Sequence, residues 1–176
     1  MSAQTPKAGD ESPTVGSRES GPEANTHARV FISYASRDVA IADAVVATLE
    51  RHGVACWIAP RDVKAGALYA EAIVRAISSA KALVLVLSES SVASAHVGKE
   101  VERASSKRRA VIAVRIDDAT LSPALEYFLG ESQWIDARAS GMDAALAKLI
   151  AAIREPERTV PGMTSVVTPE TSATTA

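Results

Sequence analysis

The run ALVLVL at residues 82–87 decides the fold class, because six consecutive apolar residues leave no polar face. A strand that alternates polar and apolar residues has one face in water. An uninterrupted short run is instead typical of a strand that is buried on both faces. Such strands belong to parallel sheets covered by helices on both sides. The run therefore predicts an α/β protein.

Outward from this run, short β-rich segments alternate with helical repeats. Further strands are predicted at RVFISY (29–34), VACWI (54–58), AVIAVRI (110–116) and SQWID (132–136). Between them, apolar residues recur three or four positions apart, and a last helix stops before Pro156. This order, with right-handed crossovers, predicts an open, flavodoxin-like sheet of five parallel strands with helices on both faces.

The ends of the first helix are predicted from two residues. Ser36 precedes the first helical repeat and belongs to the residue types that cap helix N-termini. Gly53 follows the repeat, and glycine readily adopts the left-handed conformation that ends many helices. We therefore expect the first helix to begin next to Ser36 and to end before Gly53.

The composition predicts one folded domain with an arm at each end. The chain has 176 residues, and all seven aromatic residues lie between positions 31 and 134. Residues 1–28 and 156–176 are rich in Pro, Gly, Ser and Thr and have little apolar surface to bury. We expect a disordered N-terminal arm over 1–28, a domain over 29–155 and a disordered tail over 156–176.

Charge and cysteine content argue against several classes of protein. The net charge is -2, from 19 basic and 21 acidic residues, so the chain lacks the positive field that nucleic-acid binding requires. The single cysteine, Cys56, suits a reducing compartment. Neither a secretory leader nor a run of about 20 apolar residues is present. We therefore expect a cytoplasmic protein that binds neither nucleic acid nor membrane.

Ligands of open parallel sheets bind beyond the carboxyl ends of the strands, here near the loops at 34–38, 59–66 and 88–96. These loops lack the glycine pattern of dinucleotide-binding turns and the phosphate-binding lysine loop of nucleotide hydrolases. The three histidines are too far apart in the predicted fold to bind one metal ion. We expect neither a metal nor a bound cofactor.

One pair of residues remains as a candidate for chemistry. His96 and Glu100 stand four positions apart on the predicted helix that follows the central strand. Glu100 falls at the flank of the apolar stripe, where it could face a cleft above the sheet. Spacing alone leaves two interpretations open, a solvated surface charge or a catalytic carboxylate.

Several motifs together resemble the Toll/interleukin receptor (TIR) domain in its bacterial form. They are FISYASRD (31–38), CWIAPRDVKAG (56–66), ALVLVLSESS (82–91), SAHVGKEVERA (94–104) and QWID (133–136), in the family order. The resemblance covers about residues 29–155. It implies the strand order 2-1-3-4-5 and makes residues 59–66 the BB loop, between the second strand and the second helix.

The resemblance also implies a function. Some TIR domains are scaffolds, and others hydrolyse NAD+ to nicotinamide and ADP-ribose or a cyclic variant. Glu100 matches the catalytic glutamate of the second kind, whereas His96 stands where those members commonly carry an aromatic residue. The implied activity is NAD+ hydrolysis, with NAD+ as substrate and activation by self-association into a homo-oligomer or filament. The alternative is a non-enzymatic module that binds other TIR domains.

Further site residues follow from the same resemblance. Residues 34–37 would form one wall of the cleft, and the BB loop would contribute two charged residues. For Arg61 three interpretations stay open: a contact with the substrate pyrophosphate, a surface ion pair with Asp62, or a contact between TIR domains. The predicted substrate-binding set beside Glu100 is Tyr34, Ala35, Ser36, Arg37, Arg61, Asp62 and His96.

Overall fold

The computed structural model describes residues 29–154. The predicted arm and tail, at 1–28 and 156–176, lie outside the described residues. The strands are β1 (Val30–Ser33), β2 (Cys56–Ile58), β3 (Ala82–Leu87), β4 (Ala110–Arg115) and β5 (Gln133–Asp136). The helices are α1 (Val39–Arg51), α2 (Tyr69–Ser79), α3 (Glu89–Val92), α4 (Ala95–Ser106), α5 (Pro123–Leu129), α6 (Ala137–Ser140) and α7 (Met142–Arg154).

The five strands form one parallel sheet in the order β2-β1-β3-β4-β5. Phe31 of β1 pairs with Trp57 of β2 on one side and with Leu83 of β3 on the other. From β1 the chain continues to β2 on one side, whereas β3 and the later strands lie on the other side. The crevice between the carboxyl ends of β1 and β3 is therefore the expected ligand position. The fold class and the strand order are both confirmed.

The sheet is buried on both faces, as the run at 82–87 predicts. All six residues of β3 are buried, and its side chains alternate between two apolar clusters. Helices α1 and α7 cover one face. Helices α2, α4 and α5 cover the other, where the rings of Phe31 and Trp57 stack with centroids 5.0 Å apart. Each large side chain buried in this way contributes about 1.5–3 kcal/mol.

The ends of α1 confirm one prediction and correct the other. Gly53 has a φ of +78°, so it takes the left-handed conformation expected after a helix. The prediction for Ser36 was wrong. Residues Ser36–Asp38 form a 3₁₀ turn in which the amide of Asp38 donates to the carbonyl of Ala35, and α1 begins only at Val39. Because the tight turn satisfies this amide with backbone, Ser36 makes no capping bond and stays exposed.

A hydrogen bond ties together two loops at the carboxyl edge of the sheet. The hydroxyl of Ser88, just after β3, donates to Oδ2 of Asp38 at 2.6 Å. Ser88 also caps α3 by accepting from the amide of Ser91, whose own hydroxyl accepts from the amide of Ser88. The loop after β1 is thereby fixed to the loop after β3, at the edge where the candidate site lies.

No helix within residues 29–154 is long and apolar enough to cross a membrane.

Candidate active site

Glu100 lies on α4 beside the side chains that fasten this helix to the sheet. Ser94 caps the helix by accepting from the amide of Val97, and Val97 and Val101 are buried under the sheet. Glu100 lies next to this stripe and is partly buried. Its Oε2 accepts a hydrogen bond of 2.7 Å from the hydroxyl of Ser33, the last residue of β1. The carboxylate is therefore held at the carboxyl end of β1, where the strand order changes direction.

Burial raises the pKa of the Glu100 carboxyl from 4.5 to about 7. Removing an ionised carboxylate from water is unfavourable, so the protonated form persists to higher pH. The hydrogen bond from Ser33 acts in the opposite direction because it stabilises the ionised form. At neutral pH this group can therefore both accept and release a proton, a property common among catalytic carboxyl groups and rare among solvated ones.

Glu100 opens into a cleft between α2 and α4, here called the α2–α4 cleft, with a volume of about 370 Å³. This volume is within the range typical of small-molecule sites. His96 lies one helical turn before Glu100, and Tyr69 stands at the start of α2 with half of its surface exposed. The lining residues are Tyr69, Ala70, Ile73, Val74, Ile77, His96, Lys99, Glu100, Glu102, Arg103 and Ser106. The structure thus brings His96 and Glu100 together in one cleft.

Tyr34 does not line the cleft but holds the first residue of the BB loop. Its hydroxyl donates to the carbonyl of Ala59 at 2.7 Å. Burial raises the pKa of the Tyr34 hydroxyl, and the nearby Asp43, Tyr69 and Glu100 raise it further. The hydroxyl therefore stays protonated and serves as a donor that holds the start of the BB loop.

The remaining residues predicted after β1 lie apart from the cleft. Ala35 is buried, and Ser36 and Arg37 are exposed in the 3₁₀ turn. None of the three lines the α2–α4 cleft. The turn lies instead along the same carboxyl edge of the sheet, beyond Tyr34.

The two charged BB-loop residues form an ion-pair cluster with Glu50 of α1. Nη2 of Arg61 lies 2.9 Å from Oε1 of Glu50 and 2.9 Å from Oδ2 of Asp62. The same Asp62 oxygen accepts from the amide of Ile58 at 2.9 Å. These bonds raise the pKa of Arg61, so the guanidinium stays charged. Of the interpretations open for Arg61, the ion pair is the one present here, and neither residue lines the cleft.

Comparison with known proteins agrees with this fold and motif order. The family model described as TIR domain matches residues 30–150, more than half of the chain. The chain belongs to the TIR domain family. The predicted family is thus confirmed. Among curated proteins, none matches this chain.

Solved structures similar to this TIR domain come from several kinds of protein. The TIR domain of the Toll-related receptor TRR-2 from Hydra magnipapillata superposes with a TM-score of 0.62 at 23% identity, over 72% of this chain and 98% of that one. The TIR domains of the activated Roq1 resistosome give 0.64 at 15% identity, over 72% and 99%. The CMP N-glycosidase BcmB of Clostridium botulinum gives 0.51 at 17% identity, over 69% and 97%. At these identities the likeness shows the fold.

Sequence reasoning missed Ser33, the hydrogen-bond partner of the candidate catalytic residue in this TIR domain. The signal was present, because residues of a strand alternate between faces and Ser33 therefore shares a face with Phe31. That face is the one covered by α4. A lone hydroxyl at the last position of an otherwise apolar strand, facing the helix that carries Glu100, predicts such a contact. Tyr69, which belongs to none of the motifs that carry the resemblance, was also missed as a cleft residue.

The TIR domain offers little support for other chemistry. Among the described residues, no three His, Cys, Asp or Glu side chains are grouped so that they could hold a metal ion. Burial raises the pKa of the Cys56 thiol to about 12, so it is not a nucleophile at neutral pH. The chemistry available in the cleft is that of one carboxyl group with adjustable protonation, close to two ring side chains.

Proposed function

We propose that this TIR domain hydrolyses NAD+ at the bond between nicotinamide and ribose, giving nicotinamide and ADP-ribose or a cyclic variant, and that self-association activates it. The observation that carries the proposal is the partly buried carboxyl of Glu100, which accepts a hydrogen bond from Ser33 and lines the α2–α4 cleft. Its pKa of about 7 fits a group that changes protonation during turnover.

The proposed reaction needs only one carboxylate. As the bond to nicotinamide lengthens, positive charge develops on the ribose, and the ionised form of Glu100 stabilises it. Nicotinamide leaves as a neutral molecule, so no acid is needed to protonate it. Water then adds to the ribose carbon and gives up a proton, which Glu100 can accept and pass to solvent.

Ser33 positions the carboxylate for this role. Its hydroxyl donates to Oε2 of Glu100, and no side chain among residues 29–154 donates to Oε1. Oε1 is thus available to accept from the ribose hydroxyls of a bound nucleotide. Because the Ser33 bond also favours the ionised form of Glu100, it increases the fraction of protein in the active protonation state.

The rings of His96 and Tyr69 are the proposed surface for nicotinamide. Both residues line the cleft, and His96 lies one turn from Glu100. An imidazole can stack on a pyridine ring, although with less contact area than the indole that enzymatic family members commonly carry at this position. The same fold serves glycosidic bond chemistry elsewhere, since one similar structure is a CMP N-glycosidase.

Self-association is supported by an apolar surface beside the cleft. Leu68, Tyr69 and Val74 are 67%, 51% and 37% exposed. Large apolar side chains grouped on a surface are typical of protein contacts. A neighbouring domain placed here would close the cleft. In this proposal the turn at 35–37 and the charged pair of the BB loop complete the binding site in the assembly. One of the similar structures is that of TIR domains in a resistosome.

The proposal is tested by incubating the protein with NAD+ over a series of protein concentrations and separating the products by chromatography. Light scattering on the same samples reports the assembled fraction. We expect nicotinamide release to increase with the assembled fraction, and to fall with added salt if charged contacts join the domains. Absence of nicotinamide at every concentration would overturn the enzymatic proposal and leave an interaction module.

A further inference from the structure

The α2–α4 cleft carries two cations that have no partner among the described residues. Lys99 and Arg103 both line the cleft and are exposed. Neither takes part in a salt bridge or a side-chain hydrogen bond within residues 29–154, although Glu102 stands on the same rim. Of the two arginines predicted for the site from the resemblance, Arg61 is already bound to two carboxylates, and Arg37 does not line the cleft.

The spacing of Lys99 and Arg103 suggests that the pair binds an anion. Lys99 and Arg103 are four positions apart on α4, where helix side chains are neighbours and like charges repel. A pair of adjacent cations beside a cleft is stabilised when an anion binds between them. A guanidinium is well suited to that role, because its planar donors bind two phosphate oxygens at once.

The position of the pair relative to Glu100 indicates which anion it binds. Arg103 follows Glu100 by three positions, so the two side chains share one face of α4 with about 5–6 Å between their Cβ atoms. In a dinucleotide, the ribose carbon that reacts is separated from the pyrophosphate by the rest of its ribose and one methylene group. A ribose seated on Glu100 therefore places its pyrophosphate within reach of Arg103.

We infer that Arg103, assisted by Lys99, binds the pyrophosphate of the substrate and makes the cleft specific for dinucleotides over nicotinamide riboside. The inference rests on the proposed function for the class of substrate. Both proposed contacts with the pyrophosphate come from one chain, because Lys99 and Arg103 line the same cleft. The remaining length of the cleft, along Ile73 and Ile77 of α2, is apolar and suits the adenosine half.

The test is calorimetric titration of the Glu100→Gln protein with ADP-ribose and, separately, with nicotinamide riboside. Glu100→Gln removes turnover and keeps an oxygen that accepts from Ser33. We expect ADP-ribose to bind, and Arg103→Gln added to this protein to weaken that binding roughly 10- to 100-fold, as for a lost charged hydrogen bond. Binding of nicotinamide riboside is expected to stay within 2-fold, roughly the scatter of a surface substitution.

Matched variants separate a ligand contact from a general effect of charge. Arg75→Gln removes an exposed arginine of α2 that does not line the cleft, and it is expected to leave ADP-ribose binding unchanged. Arg103→Lys is expected to recover part of the affinity, and Lys99→Gln to lower it less than Arg103→Gln does. Circular dichroism confirms folding, and Lys99→Gln carries the test if Arg103→Gln does not fold.

Two results would overturn the inference: no binding of ADP-ribose at millimolar concentration, or equal affinity with and without Arg103. Binding of ADP-ribose that depends on Arg103, in a protein whose parent releases no nicotinamide from NAD+, would support the subsite and overturn the proposed reaction. The two failures are therefore distinguishable.

Discussion

The hydroxyl of Ser33 donates a 2.7 Å hydrogen bond to Oε2 of Glu100, joining the end of β1 to the middle of α4 across 67 positions of sequence. This bond opposes the effect of burial, which raises the pKa of Glu100 to about 7. The balance between the two sets the fraction of ionised carboxylate at neutral pH. Both the activity and the stability of the domain are therefore expected to depend on pH near neutrality.

The rate of NAD+ cleavage is expected to rise with pH through about 7, because the ionised carboxylate is the active form. Ser33→Ala removes the bond that favours ionisation, so the rising limb moves to higher pH. A move of one unit lowers the rate at pH 7 by about 5-fold. The measurement is a pH profile of nicotinamide release for both proteins.

Ser79→Ala is the matched control, since its hydroxyl bonds only to carbonyls within α2. Identical profiles for the parent and Ser33→Ala would show that Ser33 does not act on Glu100.

The free energy of unfolding is expected to fall as pH rises from 4.5 to 7, because the pKa of Glu100 is raised in the folded protein. The folded carboxyl holds its proton more tightly than the unfolded one, so its protonated form stabilises the fold at low pH and this contribution is lost as pH rises through the folded pKa. The shift corresponds to about 3 kcal/mol. Glu100→Gln cannot ionise and keeps the Ser33 bond, so it should raise the melting temperature at pH 8 by about 5 °C or more.

Thermal melts at pH 5 and pH 8 check this expectation, with the exposed Glu126→Gln as control. The stabilising effect of Glu100→Gln should be small at pH 5 and large at pH 8. An equal effect at both pH values would mean that ionisation of Glu100 is not the cause.

His96→Trp is expected to lower the KM for NAD+, because an indole offers more stacking area than an imidazole one turn from Glu100. His96→Ala should change KM in the opposite direction. Steady-state kinetics on both variants measure this. An unchanged KM in both would show that position 96 does not touch the substrate.

A charge exchange tests whether the Arg61 and Glu50 pair fixes the BB loop in an active conformation. Arg61→Glu alone places a third carboxylate beside Glu50 and Asp62 and is expected to weaken both association and activity. The double variant Arg61→Glu with Glu50→Arg restores an ion pair in reverse. Recovery of activity in the double variant assigns Arg61 to loop structure, whereas continued loss assigns it to substrate or to a neighbouring domain. Turnover and light scattering on the same samples provide both readouts.

Much of the fold could be predicted from the sequence because β3 is apolar throughout and the helices repeat their apolar residues regularly. The left-handed conformation of Gly53 followed from the chemistry of glycine. The 3₁₀ turn at Ser36 did not follow, because local propensity cannot show that backbone bonds satisfy the amides there. Short helices such as α3 and α6 have too few residues to show a period.

The candidate site could likewise be predicted only in part. Glu100 was found through a motif, whereas its pKa and its bond to Ser33 depend on burial and on contacts between distant segments. The partners of Arg61 include Glu50, which lies on a different element. Lys99 and Arg103 could not be predicted as ligand-binding residues from the sequence, because the cleft exists only once α2 packs beside α4.

The most direct test of the central claim compares nicotinamide release by the parent protein and by Glu100→Gln, at equal concentrations in the assembled state and at pH 8. Matching circular dichroism spectra establish that both are folded. We predict steady release by the parent and a loss of at least about 100-fold in the variant, in the range of removing a catalytic acid or base. A folded Glu100→Gln protein that releases nicotinamide at the parent rate would contradict the assignment of Glu100 as the catalytic residue.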